Sequence, residues 1–466
     1  MHYGSHNFTI AVFWSPYLVT ANQSSDPAAG GLWDLYLDEP DAAWAVAVAG
    51  FDYAVVSAAN WFTRPSMFHE RGRLVGCHYC LVPGVPDLTL RYSLRAAFRT
   101  ALRALAAGAG GAGVFNGTAI WVPDMAGEPP PYTSESCPVI HGHYDCMRYG
   151  RPDLGYVRWR WRPDGGCELL RFDAARFLAA MRGRSVAFVG DSLARNQMHS
   201  LVCLLSHAER PAPWTNGSYA YRFERHGLTV TAFWSPFLVR AVETDPDGPT
   251  GSGSGLWSLH LDEPDAGWAA HVGAFDYVVV SAGSWFYRPS MFYDRRGRLV
   301  GCNTCLSPNV TDLTLRYSLR MAFRSALRAA ATGSHRHATR RTVIVRTISP
   351  SHYENGTWNG DGDCLRTRPA RRGEWELNAM EKDMHRIQVE EFAAAAEETA
   401  GKRGKEAARM LLMDATEAMA QRPDGHPSKY RLWQPDKFKV SRDCVHWCLP
   451  GAMDACNDML FHMLIG

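Results

Sequence analysis

The sequence predicts an α/β protein, with three layers built around a mostly parallel sheet. Three observations carry this. Phe275 to Ser281 is an uninterrupted run of strand length, as in a strand covered on both faces. Runs of this kind alternate with longer stretches of helical period, such as Leu315, Leu319, Phe323 and Leu327. Between them lies Val186 to Val189, four β-formers that run through Gly190-Asp191-Ser192 into a helical pattern. Strands alternating with helices are how a largely parallel sheet is written in sequence.

In chain order, a loop-rich segment from Trp121 to Arg171 carries Cys137, Cys146 and Cys167, and is expected to be held by disulfides and side-chain packing. Trp159 and Trp161 alternate as on a strand, with burial favoured over sugar stacking. A helix is expected over Asp173 to Met181, then the strand into Ser192 and a helix to about Ser206. The strand Phe275 to Ser281, a helix over Leu313 to Ala331, a strand over Thr342 to Ile348, a helix over Glu374 to Ala400 and a strand over Met410 to Ala415 follow. Loops after strands carry function in such sheets. Here they are Ser349 to Gly356, Asp424 to Ser428 and Ser441 to Pro450.

Composition narrows the class. Apolar residues make up 46% and charged residues 21%, which is globular, and a net charge of +2 argues against a nucleic-acid or anionic-membrane partner. Six of twelve asparagines (Asn7, Asn22, Asn116, Asn216, Asn309 and Asn355) lie in N-x-Ser/Thr sequons, which favours a secretory lumen. Twelve cysteines are then read as disulfides. The pairs Cys77/Cys80 and Cys302/Cys305 have zinc-like spacing, but no second ligand pair stands at finger distance, so no metal is expected. No apolar leader opens the chain, and no run of about 18 apolar residues occurs.

An internal repeat bears on that contrast between sequons and N-terminus. Phe13 to Val19 returns as Phe233 to Val239, Leu37 to Asp41 as Leu261 to Asp265, and Arg64 to Phe68 as Arg288 to Phe292. The offset grows from 220 (Phe13 to Phe233) to 225 (Leu88 to Leu313). Residues 1–105 read as a partial duplicate without Gly-Asp-Ser, 106–114 as a glycine-rich joint, and 115–466 as a complete domain. A first copy that begins inside its domain would leave sheet edges unpaired, so it is expected to pack on the complete domain, to stay partly disordered, or to reflect a fused or misassembled gene model.

The chemistry gathers at two places. Ser192 opens a helix after a strand, where free backbone N–H groups meet any ligand, so it is a nucleophile candidate with part of an oxyanion hole. Asp443 and His446, three apart, are expected to meet on one helical turn, with the carboxylate orienting the imidazole as base. Asp-x-x-His is also a candidate metal pair. Cys444 and Cys448 are placed to pin this loop.

Gly190-Asp191-Ser192 followed by Asp443 to Gly451 resembles the plant trichome birefringence-like proteins, polysaccharide O-acetyltransferases of the PC-esterase group related to SGNH hydrolases. Supporting stretches are Trp121 to Asp124, Gly150 to Asp153, Trp159 to Trp161, Pro350-Ser351-His352 and Asp424 to Ser428. Ser281 to Phe286 with Val300 to Cys305 resembles the xyloglucan and mannan branch more than the xylan branch. The resemblance implies an SGNH-like domain in the Golgi lumen, associated with its membrane. It implies a Ser192–His446–Asp443 triad, oxyanion support from Gly190, Asp191 and Gly283, and no bound cofactor. The acetyl donor is acetyl-CoA or an acetylated carrier, and the acceptor a hemicellulose. Two positions depart from the family: the cysteine usual a few residues before Phe115 is missing from Gly-Ala-Gly-Val-Phe115, and Cys456 stands where tryptophan is usual. The same triad would serve a polysaccharide acetylesterase, and a binder or inactivated member is the alternative without catalysis.

Overall fold

The computed structural model describes residues 2–3, 8–9, 11–23, 32–48, 51, 54–79, 84–108, 119–124, 130–137, 139–163, 169–214, 219–246, 255–305, 308–332, 340–358, 360–400, 408–431 and 442–465. Most of the joint, Cys80, Cys167, Asn7, Asn116 and Asn216 lie outside the described residues. The chain divides into two compact units, Met1–Gly113 and Val114–Gly466.

The first unit holds β1 (Val19–Gln23), β2 (Trp33–Pro40), β3 (Ser66–Glu70), β4 (Arg73–His78) and α1 (Thr89–Gly108). The strands form one sheet in chain order, paired antiparallel, parallel and antiparallel. Tyr17, Leu35, Phe68 and Ala97 are buried between sheet and helix.

The second unit opens with the hairpin β5 (Ala119–Pro123) and β6 (Trp159–Pro163), where Trp161 is buried against Trp121. Then come α2 (Ala174–Ala180), β7 (Ser185–Gly190), α3 (Ser192–Leu205), β8 (Ala212–Pro213), β9 (Ala220–Phe223) and β10 (Leu228–Trp234). Next are β11 (Val239–Asp245), β12 (Leu256–Pro264), β13 (Tyr277–Ser281), β14 (Ser290–Tyr293) and β15 (Leu299–Asn303). The chain closes with α4 (Thr314–Ala331), β16 (Thr342–Arg346), α5 (Ala379–Ala400), β17 (Arg409–Met413) and α6 (Ala452–Ile465).

The main sheet runs β8-β9-β10-β7-β13-β16-β17. Pairings from β10 to β17 are parallel, and β8 and β9 add an antiparallel edge. Alternation along each strand sorts the core into two layers. Phe188, Val279 and Ile344 face α2, α3 and α6; Ala187, Val278, Val280 and Val345 face α4 and α5. On α4, arginines off the apolar stripe pair with α5, Arg316 with Asp383, Arg324 with Glu391 and Arg328 with Glu398. The helix expected from Glu374 begins at Ala379, because Asn378 and Glu381 close a reciprocal capping box there.

A second sheet, β11-β12-β14-β15, is paired antiparallel, parallel and antiparallel, as in the first unit. Register shifts fall at Val19/Thr20 and Phe68/His69 in one sheet and at Val239/Arg240 and Phe292/Tyr293 in the other. The repeated block carries this small sheet whole, together with the end of β10 and with β13 from the main sheet. In β13, Val279 is fully buried. Of the matching residues, 54–57 are described and form no strand, and Val55 is 97% exposed. The same residue type at the same place changes its fate because the first unit holds no counterpart of β7 and β16 to pair with.

Candidate active site

Ser192 is the first residue of α3, directly after β7. The turn exists because Gly190 is glycine: a Cβ there would lie 1.7 Å from the Ser281 carbonyl oxygen, at φ +150. Asp191 caps the helix, with Oδ1 accepting from the Leu193 N–H at 3.0 Å. Its Oδ2 accepts from the Gly283 N–H at 3.0 Å. Burial raises the Asp191 carboxyl, and the buried guanidinium of Arg346 works against that rise.

Two of the expected oxyanion contributions change accordingly. The Gly283 amide is engaged by Asp191, whose own N–H donates to the Ser281 carbonyl at 3.3 Å and whose carboxylate only accepts, so both stabilise the turn and their N–H groups are already used. The Ser192 N–H is the first of its helix and has no acceptor within that helix.

The histidine that reaches Ser192 comes from the loop before α6. His446 Nε2 lies 2.6 Å from Ser192 Oγ, and His446 Nδ1 lies 2.8 Å from Asp443 Oδ2. A carboxylate oxygen accepts, so Nδ1 carries the hydrogen and the Nε2 lone pair faces the serine hydroxyl. The spacing of three was expected to act through a helical turn, but this segment is not helical. Asp443 Oδ1 accepts from the backbone N–H of His446 at 3.0 Å and of Val445 at 3.2 Å, so one carboxylate folds the turn and aims the ring. Burial would raise Asp443, but its interaction and hydrogen bonds with His446 hold it well below the usual carboxylate range. Both histidine nitrogens are engaged here, Nδ1 by Asp443 and Nε2 by Ser192.

Several parts fix the loop. Disulfides Cys364–Cys444 and Cys146–Cys448 grip it on both sides of His446. Asp443 exchanges backbone hydrogen bonds with Ser428, and the Leu449 N–H donates to the Tyr144 carbonyl at 2.8 Å. Asn196, one turn after Ser192 on α3, donates to the Trp447 carbonyl at 3.2 Å and accepts its N–H at 3.0 Å. The serine and the histidine loop are thus tied to the same helix. Sequence reading missed Asn196, though its i, i+4 spacing from Ser192 was a usable signal. Two further disulfides join Cys137 to Cys203 and Cys302 to Cys305, so the zinc-like pair of the second copy is bonded to itself.

Ser192 and His446 line a cleft of about 1830 Å³. Its walls carry Trp285, Tyr287, Trp358 and Trp375, with Arg288 stacked 3.9 Å over Trp285. Aromatic faces with scattered charges suit a polar, ring-shaped ligand. Asn22, Asn309 and Asn355, the sequon asparagines among the described residues, are all exposed. No helix among the described residues is long and apolar enough to cross a membrane.

An α/β sandwich whose serine bonds to a carboxylate-oriented histidine is the arrangement of enzymes that work by acyl transfer. Family comparison agrees. Residues 1–118 and 169–463 match the PC-esterase model, a GDSL/SGNH-like acyl-esterase family found in Pmr5 and Cas1p, and residues 113–168 match the PMR5 N-terminal domain. The chain belongs to the PC-esterase family, among the trichome birefringence-like proteins. It is 45% identical over 357 residues to protein trichome birefringence-like 19 of Arabidopsis thaliana, covering 75% of this chain and 80% of that protein. Against xyloglucan O-acetyltransferase 4 of Populus trichocarpa it is 40% identical over 356 residues, 75% of this chain and 80% of that one. Against xyloglucan O-acetyltransferase 1 of Arabidopsis thaliana the figures are 39% over 353 residues, 74% and 78%.

Proposed function

We propose that this chain transfers acetyl groups to hydroxyls of a plant cell-wall hemicellulose through an acetyl-Ser192 intermediate, with xyloglucan or mannan favoured and xylan an alternative. The observation that carries it is the chain Asp443–His446–Ser192, with contacts of 2.8 and 2.6 Å, in a cleft wide enough for a glycan. Relatives named for xyloglucan O-acetylation support the acceptor class.

In the first half, His446 Nε2 takes the Ser192 proton as Oγ attacks the acetyl carbonyl of the donor, acetyl-CoA or an acetylated carrier. The Ser192 N–H faces the developing oxyanion, and the proton on Nε2 passes to the leaving group. In the second half, Nε2 takes the proton of a sugar hydroxyl, whose oxygen attacks the acetyl-serine and releases Ser192. Asp443 stays ionised throughout and stabilises the imidazolium. The family's description as acyl-esterases favours a second reading, in which water takes the place of the sugar.

Exposed sequons and disulfides support a lumenal site of action, and the Golgi with its membrane is the proposed place. The matching sheet order of residues 1–105 supports their reading as a partial duplicate, and without counterparts of Ser192, Asp443 or His446 it has no catalysis to contribute. The test is incubation with acetyl donor and xyloglucan oligosaccharide, read by mass spectrometry of glycan and protein. Acetylated glycan with wild type and none with Ser192→Ala is expected. Donor hydrolysis without acetylated glycan would select the esterase, and equal turnover by both proteins would end the triad reading.

A further inference from the structure

Behind the triad lies a second pair of imidazoles that the chemistry above does not use. His352 follows β16, and His426 lies beyond the short helix Thr416–Ala420; both are buried to 1% exposure or less. They form a line of three contacts. His352 Nε2 is 2.9 Å from the Ala420 carbonyl oxygen. His352 Nδ1 is 2.7 Å from His426 Nε2. His426 Nδ1 is 2.6 Å from the carbonyl oxygen of His446. Trp447 stacks on His426 with ring centroids 4.1 Å apart, and Trp375 covers His352 at 4.6 Å.

Counting protons exposes a shortage. Carbonyl oxygens only accept, so each end contact needs an N–H from a ring, and the nitrogen–nitrogen contact needs one proton between its members. Three contacts require three protons, and two neutral imidazoles supply two. If both carbonyls are served, two nitrogen lone pairs face each other at 2.7 Å. If the central contact is served, a buried carbonyl meets a lone pair at one end. No choice of tautomers removes the deficit.

We infer that the His352–His426 pair shares one extra proton, as an imidazole–imidazolium couple, and that the two are positioning residues that hold the main chain of His446. The surrounding charges divide. Burial acts first against the charge on each ring and, with Arg151, Arg366 and Arg422 adding to it, lowers His352 to about 4 and His426 well below the ordinary imidazole value, so it is the proton count of the three contacts that calls for the extra proton. Each of these arginines has its own carboxylate: Asp153, Glu354 and Asp424 respectively. The Asp443 carboxylate and the His446 and Ala420 carbonyls favour the proton. Withdrawing it would leave a buried polar contact unmade beside the catalytic loop, and rings closed in by Trp375 and Trp447 have little room to turn away.

The first test needs no variant. Full-length protein labelled with ¹⁵N-histidine is examined by NMR at neutral pH. Three of the pair's four ring nitrogens should be protonated, with one strongly downfield proton shared between the rings. Two ordinary neutral tautomers would overturn the inference, whatever the enzyme's substrate proves to be. The second test rests on the acetyl-transfer reading. Wild type should lose kcat on the alkaline side as the shared proton leaves. His352→Asn, whose amide N–H can donate to His426 Nε2 without a charge, should lower kcat about tenfold at neutral pH and abolish that alkaline limb. A merely structural role predicts the same loss at every pH, and that result would overturn the positioning role.

Discussion

Replacing Asp443 by Asn isolates the orienting role of the carboxylate. The variant keeps an oxygen for the backbone N–H groups of Val445 and His446, now 3.2 and 3.0 Å from Oδ1. The disulfide at Cys444 and the backbone pairing with Ser428 do not involve the side chain, so the loop should persist. What changes is the partner of His446 Nδ1, 2.8 Å from Oδ2. An amide NH₂ at that place donates, which moves the ring hydrogen to Nε2 and leaves nothing to accept the Ser192 proton. A triad whose acid becomes an amide loses roughly 10⁴ in kcat, about 5.5 kcal/mol at about 1.4 kcal/mol per tenfold. The assay is acetyl transfer to xyloglucan oligosaccharide at saturating donor, with thermal unfolding as a control. Because Asp443 is held well below the usual carboxylate range, the wild-type carboxylate stays ionised down to the acid limit of the assay, and the ratio of the two proteins should not vary with pH above it. A loss under tenfold with an unchanged melting curve would refute the reasoning, since some other group would then be orienting the imidazole.

Three further outcomes follow from packing. Gly190→Ala places a methyl 1.7 Å from the Ser281 oxygen, a backbone atom that cannot turn aside, and should destabilise the protein by more than about 3 kcal/mol in urea unfolding. Val279→Ala should cost about 2 kcal/mol by the same measurement, whereas Val55→Ala at the matching position of the first unit should stay within about 0.5 kcal/mol. Burial lowers His199 to about 3, with His141 and Arg195 adding to the shift. Its folded value is depressed, so the unfolded chain binds the proton first and stability is lost as pH falls from about 6.5 toward 3. His199→Phe should therefore gain melting temperature relative to wild type near pH 4.5 compared with pH 7, and an equal difference at both pH values would contradict this.

What the sequence made legible was whatever a few neighbouring residues decide. The strand into Gly190-Asp191-Ser192 is such a case, because strand, turn and helix start are all local. The pair Asp443 and His446 was found by spacing, yet the expected helical turn is a loop folded by the same aspartate. Spacing identified the partners because an aspartate reaches the third residue onward in either geometry. Gly283 illustrates the opposite limit. Its place after β13 is local, but whether its N–H is available depends on Asp191, 92 residues away. The bond between Cys146 and Cys448 spans 302 residues, and no local pattern could choose that partner. Val55 and Val279 make the argument most directly. Their segments share Phe-Asp-Tyr and a valine-rich run into serine, and one is the centre of a sheet while the other is exposed. A strand in a parallel sheet is a property of its neighbours, and Ser192 and His446 meet only because β7, β13 and β16 supply those neighbours to one another.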